Sequence, residues 1–372
     1  MNEPTVHLIY PTSDLLRTPF AIGREPSRRL QERFSVIVYP DHRVEGKINP
    51  NRGDILIGHP DWSPRTIFTA SLDNPKWGKR IAICPFNTDP RQVGHIDSFI
   101  HKCDHLLAIT ATHWIKQAPL SCFQHWCPKI IHLDLAINRD DFPRVKSKFS
   151  LPGERKFLFI GNPTFFKNVA YLNEIAGSLP EMVFHWIGPG IKRYSNLKQL
   201  GKIDFSSDEA RKKITDFDFF ITVGDADCNP TTILEAMAWG LIPICTPQSG
   251  YDEEPGICNV PLNDIKGVQS VLRELQQCSD QKLLNLQKLN WERLDKHYNW
   301  QRFTEQVEQV IRSSETKAST QLSQCPLKDK LYIAWRRFRS PNTRWRTKII
   351  VRRIKKTLFV YILWIFRAFR KG

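Results

Sequence analysis

Short runs of apolar, mostly β-branched residues recur through residues 5–260 and alternate with stretches that have a helical pattern. Such a chain folds as strand–helix units, in which each helix carries the chain back to start the next parallel strand. The predicted strands are VHLIY (6–10), SVIVY (35–39), DILIG (54–58), RIAIC (80–84), HLLAI (105–109), KIIHL (129–133), KFLFIG (156–161), VFHWIG (183–188), DFFITVG (218–224) and LIPICT (241–246).

Helices are predicted at 91–103, 168–178, 207–215, 231–239 and 264–276, with a last one near 300–312, and residues 11–29 are interpreted as a loop. The stretch 141–154 is polar and rich in turn residues, so it is the predicted linker between two α/β domains, at 1–150 and 151–312. Ligands of open α/β sheets bind beyond the carboxyl ends of the strands. We therefore expect the chemistry in a cleft between the two domains.

Positive charge is concentrated at the C-terminal end of the chain. The net charge is +16, but residues 328–372 hold 15 Lys or Arg and one Asp, which leaves only about +2 for residues 1–327. A polar linker (313–327) precedes this basic tail (328–372). The asymmetry indicates an acidic partner for the tail rather than for the body.

The nine cysteines include no Cys-x-x-Cys pair, and the N-terminus lacks the pattern of a signal peptide. Reduced thiols in a cytosolic protein are the simplest interpretation. Cys122, His125 and Cys127 have the side chains of zinc ligands, but no second pair nearby completes a four-coordinate site, so a zinc site is not favoured.

The segment GDADCNPTTILEAMAWG (224–240) has the features of a binding site. A buried strand ends at Gly224, and Thr231 and Thr232 can begin a helix as its cap and first-turn residues. The free N–H groups of a helix start suit a phosphate. Asp227 and Glu235, with seven residues between them, are predicted to lie in the loop and the first turn, where carboxylates accept hydrogen bonds from sugar hydroxyls. The alternative is that these acids only stabilise the helix dipole.

This segment resembles the Glu-x7-Glu donor signature of retaining GT-B glycosyltransferases, in particular glycosyltransferase family four, with Asp227 in place of the first Glu. The stretch EAMAWGLIPICTPQSGYDE continues the resemblance. FIGNPTFFKN (159–168) is similar to the strand–turn–helix that opens the family's second domain, with Gly161 and Lys167 matching and Asn162 where Arg is usual. WIGPG (186–190), LGKIDF (200–205), HLDLAINRDDF (132–142) and YNWQRFTEQVEQVI (298–311) also resemble family segments, in the family's order.

The resemblance implies a GT-B fold of two Rossmann-like domains and implies roles for individual residues. Glu235 would bind the ribose hydroxyls, Asp227 the transferred sugar, and Lys167 the diphosphate, with the helix start at Thr231 and Thr232. The donor-binding residues expected from it are Gly161, Asn162, Lys167, Gly188, Asn229, Thr231, Thr232 and Glu235. The Asn at 162 removes a bidentate phosphate ligand and makes the donor atypical.

No cofactor and no metal are expected besides the nucleotide-sugar donor. Asp225 and Asp227 have the spacing of an Asp-x-Asp metal motif, but their loop coincides with the sugar-binding signature, which is the preferred interpretation. In the first domain, His59 follows strand 54–58 and is the candidate catalytic histidine; Asn87 or Asp89 is the alternative. His95, His101 and His113 are interpreted as ordinary core or surface residues.

The tail is predicted to bind a membrane surface. From Trp345 onward, a helical projection places Ile350, Ile354, Leu358 and others on one face and basic residues opposite. The apolar run TLFVYILWIF is ten residues long, whereas about 20 are needed to span a bilayer. We therefore predict an anionic membrane surface as the partner of 344–371. Packing on the body or a partner protein is the alternative, and nucleic acid is disfavoured.

The sequence thus predicts a glycosyltransferase (hexosyltransferase type), peripheral on the cytoplasmic face of a membrane and acting in polysaccharide biosynthesis. The acceptor would be lipid-linked or a surface glycan, and the resemblance implies retention of the anomeric configuration. Two alternatives stay open. One is a nucleotide-sugar 2-epimerase of the same fold, and the other is a degenerate transferase that serves as a membrane scaffold.

Overall fold

The computed structural model describes residues 3–11, 18–40, 46–60, 66–191, 193–205, 207–314, 322 and 324–339. They form two α/β domains, each built on a six-stranded parallel sheet. In the first sheet the order is β2-β1-β3-β4-β5-β6. Its strands are β1 (Val6–Ile9), β2 (Val36–Tyr39), β3 (Ile55–Gly58), β4 (Lys79–Pro85), β5 (His105–Ile109) and β6 (Ile130–Leu133).

The second sheet has the order β12-β11-β10-β7-β8-β9. Its strands are β7 (Lys156–Ile160), β8 (Val183–Ile187), β9 (Lys198–Gly201), β10 (Phe219–Thr222), β11 (Ile242–Cys245) and β12 (Cys258–Asn259). All ten predicted strands are confirmed. The two additional strands are β9, whose four residues are all exposed, and β12, which is two residues long. Neither has the apolar run that marks a buried strand.

Eleven α-helices occur in the part of the chain that the structure describes. They are α1 (Thr18–Leu30), α2 (Ile67–Ser71), α3 (Pro90–Val93), α4 (Thr112–Gln117), α5 (Val169–Gly177), α6 (Asp208–Ile214), α7 (Thr231–Trp239), α8 (Ile265–Gln277), α9 (Asp280–Lys296), α10 (Trp300–Arg312) and α11 (Leu327–Phe338). Five predicted helices are confirmed as α5, α6, α7, α8 and α10.

Two predictions about the first domain are wrong. The helix expected at 91–103 is the short α3 followed by 3-10 turns at Ile96–Ser98 and Ile100–Lys102, and the backbone leaves helical geometry at Phe99 (φ −135°). The loop expected at 11–29 contains α1, despite Pro26 inside it. Its buried residues Ile22 and Leu30 belong to the same core as α10, so tertiary packing outweighs the weak local propensity.

The last two helices lie on the first domain although they follow the second domain in the chain. Lys79 at the start of β4 donates hydrogen bonds to the carbonyls of Val310 (2.7 Å) and Ile311 (3.0 Å) at the end of α10. Helix α11 packs against α3. The last predicted helix, near 300–312, therefore returns to the first domain as α10, and no helix or strand separates β6 from β7 across the linker.

The two domains meet at the carboxyl ends of their strands. After β4, the Asn87 amide donates to the carbonyl of Ala226 (2.7 Å), and after β5, the Thr110 hydroxyl donates to the carbonyl of Cys228 (3.2 Å). The Trp114 indole of α4 donates to the carbonyl of Asp227 (2.7 Å). The expected cleft is thus closed over the loop 225–229.

The tail predicted at 344–371 lies outside the described residues. Among the helices that are described, none combines the length and the apolar character needed to cross a membrane.

Candidate active site

The loop between β10 and α7 brings two predicted site residues together. Lys167 Nζ lies 2.9 Å from Asp227 Oδ2, and both side chains are mostly buried. The loop is held from two sides, because Asp225 N donates to Phe166 O (3.0 Å) and Asp227 N donates to Gln248 O (3.1 Å). Chain segments 60 residues apart thus place a cation and a carboxylate in one small volume.

The start of α7 differs in detail from the prediction. Its N-cap is Pro230, which makes no side-chain capping bond, so Thr231 and Thr232 are the first two helical residues. Glu235 is consequently in the second turn rather than the first. Ile233 N donates to Pro230 O (3.0 Å), and because Pro230 offers no side-chain cap, the N–H groups of Thr231 and Thr232 are available to an anionic ligand.

Glu235 has the most strongly perturbed carboxyl group of the predicted site. Burial raises its pKa to about 7, and the nearby charge of Lys167 acts in the opposite direction. Lys167 therefore influences both predicted carboxylates, Asp227 by direct contact and Glu235 through its charge. Glu235 and Thr231 line a cavity together with α1, the segment after β6 and the start of α10.

Gly161 and Gly188 lie side by side where β7 and β8 end. The Trp186 indole donates to Gly161 O (2.9 Å), and a Cβ on Gly188 would lie 2.4 Å from that oxygen. A Cβ on Gly161 would lie 3.3 Å from Lys167 Cδ, and its φ of +153° also favours glycine. Asn162 is exposed at this turn, and its carbonyl accepts from Thr164 N (2.8 Å).

Buried polar atoms without hydrogen-bond partners are found around this loop. Within the described part of the chain, they include Asp225 Oδ1, Asn229 Nδ2, Gln248 Oε1 and Thr164 Oγ1. Asn229 is 9 % exposed, and its Oδ1 accepts from Tyr251. These four atoms are therefore available to hydrogen-bond a polar ligand.

The first domain places its three candidates differently. Asn87 contacts the loop directly through Ala226. Asp89 is the N-cap of α3 and accepts from Arg91 N (2.8 Å), which is a structural role. His59 follows β3 at the same sheet edge and packs edge-on against Tyr10 with ring centroids 5.2 Å apart. Its catalytic role stays a prediction.

Three further histidines have structural contacts. His95 Nε2 lies 3.2 Å from Pro60 O, and His113 Nδ1 lies 3.7 Å from Asp252. His125, of the Cys122 cluster, pairs with Asp97 at 2.9 Å. Among the residues that the structure describes, no group of three His, Cys, Asp or Glu is arranged to hold a metal ion.

Arg91 is a residue of the site that the sequence did not reveal. Its Nε donates to Asp89 Oδ2 (2.7 Å), and its guanidinium lies 4.8 Å from the ring centroid of Phe165 and 3.8 Å from Asp225. Arg91 thus extends from the first domain to both loops of the second. Only its position soon after a strand end could have suggested it, since its partners in the second domain, Phe165 and Asp225, lie more than 70 residues away along the chain.

No family model and no curated protein matches this sequence. Its structure is similar to that of sucrose-phosphate synthase from Thermosynechococcus elongatus, with a TM-score of 0.60 and 11 % identity over 83 % of this chain and 98 % of that one. It is also similar to Anabaena HepE, solved with UDP and glucose (TM-score 0.57, 9 % identity, 83 % and 99 % covered). A third similar structure is WaaG, a glycosyltransferase involved in lipopolysaccharide biosynthesis, with a TM-score of 0.55 and 13 % identity over 83 % of this chain and 100 % of that one.

These similarities and the two facing parallel sheets show the GT-B fold, as predicted. At such low identity the likeness is one of fold. Membership of glycosyltransferase family four stays a prediction.

Proposed function

We propose that this protein is a glycosyltransferase that moves a sugar from a nucleotide-diphosphate donor to an acceptor, with retention of the anomeric configuration. The observation that carries the proposal is the position of Lys167. Its ammonium contacts the Asp227 carboxylate, and its charge lowers the pKa of Glu235. Both carboxyl groups lie near the start of α7, which has no side-chain cap. A ligand that carries both phosphates and hydroxyls would satisfy all of these groups.

The donor would lie across the loop 225–229. Its diphosphate takes the Lys167 ammonium and the first N–H groups of α7, and its ribose hydroxyls donate to Glu235. Asp227 then accepts from a hydroxyl of the transferred sugar. Asn229 Nδ2 and Gln248 Oε1, which have no partner within the described structure, are available to the same sugar.

In the reaction, the bond between the anomeric carbon and the diphosphate oxygen breaks, and the acceptor oxygen bonds to that carbon on the same face. The acceptor proton passes to the departing diphosphate, so the protein does not have to supply a strong base. Lys167 stabilises the negative charge that develops on the leaving group. We assign no proton transfer to His59.

For the acceptor we propose a glycan or lipid-linked molecule at the cytoplasmic face of a membrane. WaaG, a glycosyltransferase involved in lipopolysaccharide biosynthesis, is a precedent for a glycan acceptor of this kind on the same fold, and HepE, solved with UDP and glucose, is a precedent for the donor. The basic tail supports the membrane location through its charge.

A panel of nucleotide sugars tests the proposal by calorimetry and by the release of nucleoside diphosphate. We expect one donor to bind, and Lys167→Ala to weaken that binding about 10- to 100-fold through the loss of a charge-assisted hydrogen bond. Glu235→Ala should also weaken it. Lys288→Ala and Glu292→Ala are matched controls on α9, because both side chains are exposed, and they should bind like the wild type.

Each alternative makes a different prediction in this experiment. A chain that binds no nucleotide sugar would contradict the enzyme proposal and leave the membrane scaffold. A chain that binds a nucleotide sugar and inverts the configuration of its sugar at C2 without an acceptor would be the epimerase. Transfer to an added acceptor with retained configuration, followed by NMR of the product, supports the proposal.

A further inference from the structure

Helix α11 is fixed to the first domain by one face. Ile333 is 5 % exposed and packs at Gly94, where a Cβ would lie 3.1 Å from the Ile333 side chain. From the same face, Arg336 lies 3.7 Å from Asp89, the carboxylate that caps α3. The orientation of α11 on the domain is therefore set by both an apolar contact and an ion pair.

The opposite face of α11 carries large apolar side chains that point into solvent. Leu327 is 73 % exposed, Leu331 63 %, Trp335 47 % and Phe338 64 %. These four residues have the spacing i, i+4, i+8, i+11, which places them in one stripe along the helix. A surface helix normally turns its apolar stripe inward, so the stripe of α11 requires a partner.

Basic residues border the stripe on both sides. At 100° per residue, Lys328 and Arg339 lie along one edge, and Lys330 and Arg337 lie along the other. All four side chains are exposed. The single acid of the helix, Asp329, lies on the side that faces the domain.

We propose that this surface, the outward stripe of α11 with its basic borders, binds the headgroup region of an anionic membrane. An apolar stripe between two rows of cations is the arrangement of helices that lie in a lipid interface, where the stripe enters the acyl boundary and the cations meet lipid phosphates. The cations would oppose a second copy of the same face, since like charges would meet across a two-fold axis. An anionic membrane can accept the apolar stripe and bind both rows of basic side chains at the same time.

The docking of α11 determines how the enzyme would be oriented on the membrane. Asp89 contacts Arg336 and also Arg91, which extends to Asp225 in the loop 225–229, called the donor loop below. The lipid surface therefore lies on the α3 side of the first domain, a short distance from the site. A site in this position suits an acceptor that resides in the lipid layer. The inference about the acceptor rests on the proposed transferase activity, whereas the inference that α11 binds lipid does not.

Hydroxyl-radical footprinting of the full chain tests the surface directly. With vesicles of equal parts phosphatidylglycerol and phosphatidylcholine, we expect oxidation of Trp335 and Phe338 to fall at least severalfold, while that of the exposed Leu151 and Leu200 is unchanged. Phosphatidylcholine vesicles alone should protect neither. Sedimentation of the protein with anionic vesicles while Trp335 and Phe338 stay fully reactive would overturn the proposal and assign binding to another segment.

Introducing negative charge into the apolar stripe gives a second test in the full chain. Leu327→Glu with Leu331→Glu should reduce the fraction that sediments with anionic vesicles by at least severalfold. Leu151→Glu with Leu289→Glu changes net charge equally at exposed leucines of the second domain and should sediment like the wild type. Equal binding by both double variants would contradict the proposal. A protection of Trp335 that rises with protein concentration in the absence of vesicles would also contradict it, because it would indicate a protein partner.

The proposed function can fail separately. If the wild type binds anionic vesicles through α11 but binds no nucleotide sugar, the membrane surface stands and the transferase proposal falls.

Discussion

Lys167 and Asp227 show what a sequence can and cannot indicate at the scale of single residues. The local pattern of the loop and helix start points to Asp227, the family resemblance points to Lys167, and the structure places their charged groups 2.9 Å apart. The chemical type of the ligand follows from the carboxylates and the helix start, because few molecules offer hydroxyls to the former and a phosphate to the latter. Arg91 could not be found in this way, since it reaches the site only through contacts between domains.

The raised pKa of Glu235 predicts how donor binding depends on pH. Burial raises this pKa to about 7, so near pH 6 most of the carboxyl groups hold a proton and have fewer acceptor sites for ribose hydroxyls. Donor affinity should therefore rise with pH, by about tenfold between roughly pH 6 and 8, as the carboxylate forms.

Calorimetric titration of the donor at several pH values measures this dependence. Glu235→Gln cannot ionise and should give a nearly flat profile, whereas Glu292→Gln should keep the wild-type slope. A wild-type affinity that is constant, or that falls with pH, would contradict the assignment of Glu235 to the ribose.

At the scale of elements, α7 illustrates a helix whose bounds the sequence determines locally. It was predicted at 231–239 and has those bounds, because Pro230 precedes it and Gly240 ends it in a left-handed conformation (φ 95°). Helix α9 was missed, although it is 17 residues long, because its buried residues are few and include Gln287 and Asn290. Helices of that kind are stabilised by their neighbours, and a sequence pattern does not show the neighbours.

Gly240 allows a prediction of stability at the end of α7. A Cβ there would lie 2.8 Å from Lys146 O and 2.8 Å from Gln287 Nε2, which itself donates to Gly240 O. Gly240→Ala should therefore combine the cost of a left-handed alanine, about 1 kcal/mol, with a comparable or larger cost of steric crowding.

Gly153→Ala is the matched control, because Gly153 has a similar φ of +89° and a Cβ added there would have no atom within 4 Å. Urea unfolding of the two variants separates conformation from crowding. Equal destabilisation by both would show that the contacts of Gly240 with Lys146 and Gln287 do not restrict it.

At the scale of the whole molecule, the two domains are joined over the donor loop by hydrogen bonds from three elements of the first domain. Asn87, Thr110 and Trp114 all donate to backbone carbonyls of residues 226–228. The alternation of strands and helices predicted two domains and a cleft. It could not predict their relative position, which depends on pairs more than 100 residues apart.

Trp114 tests the importance of this closure. Trp114→Phe leaves the buried carbonyl of Asp227 unpaired. A lost hydrogen bond of this kind costs about 1 kcal/mol, so the variant should bind the donor about fivefold more weakly. Because the domains should also open, we expect a larger particle in solution scattering. Trp291→Phe is the control, since that indole donates to Met237 O (3.0 Å) within the second domain. The free energy of unfolding of Trp291→Phe should fall to a similar degree, but its donor affinity and its size in solution should not change. An unchanged scattering profile and donor affinity in Trp114→Phe would show that closure does not depend on this bond.

Asp89 contacts two arginines, and through them lipid binding at α11 can be coupled to donor binding at the loop 225–229. One arginine belongs to the helix proposed to meet lipid, and the other extends to the donor loop. If lipid contact alters the position of Arg336, it alters the equilibrium of Arg91 as well. Coupling of this kind is reciprocal, so whatever factor a membrane contributes to donor affinity, the donor must contribute to membrane affinity. If the membrane strengthens donor binding, the bound donor must lengthen the time that the enzyme stays on the membrane by the same factor.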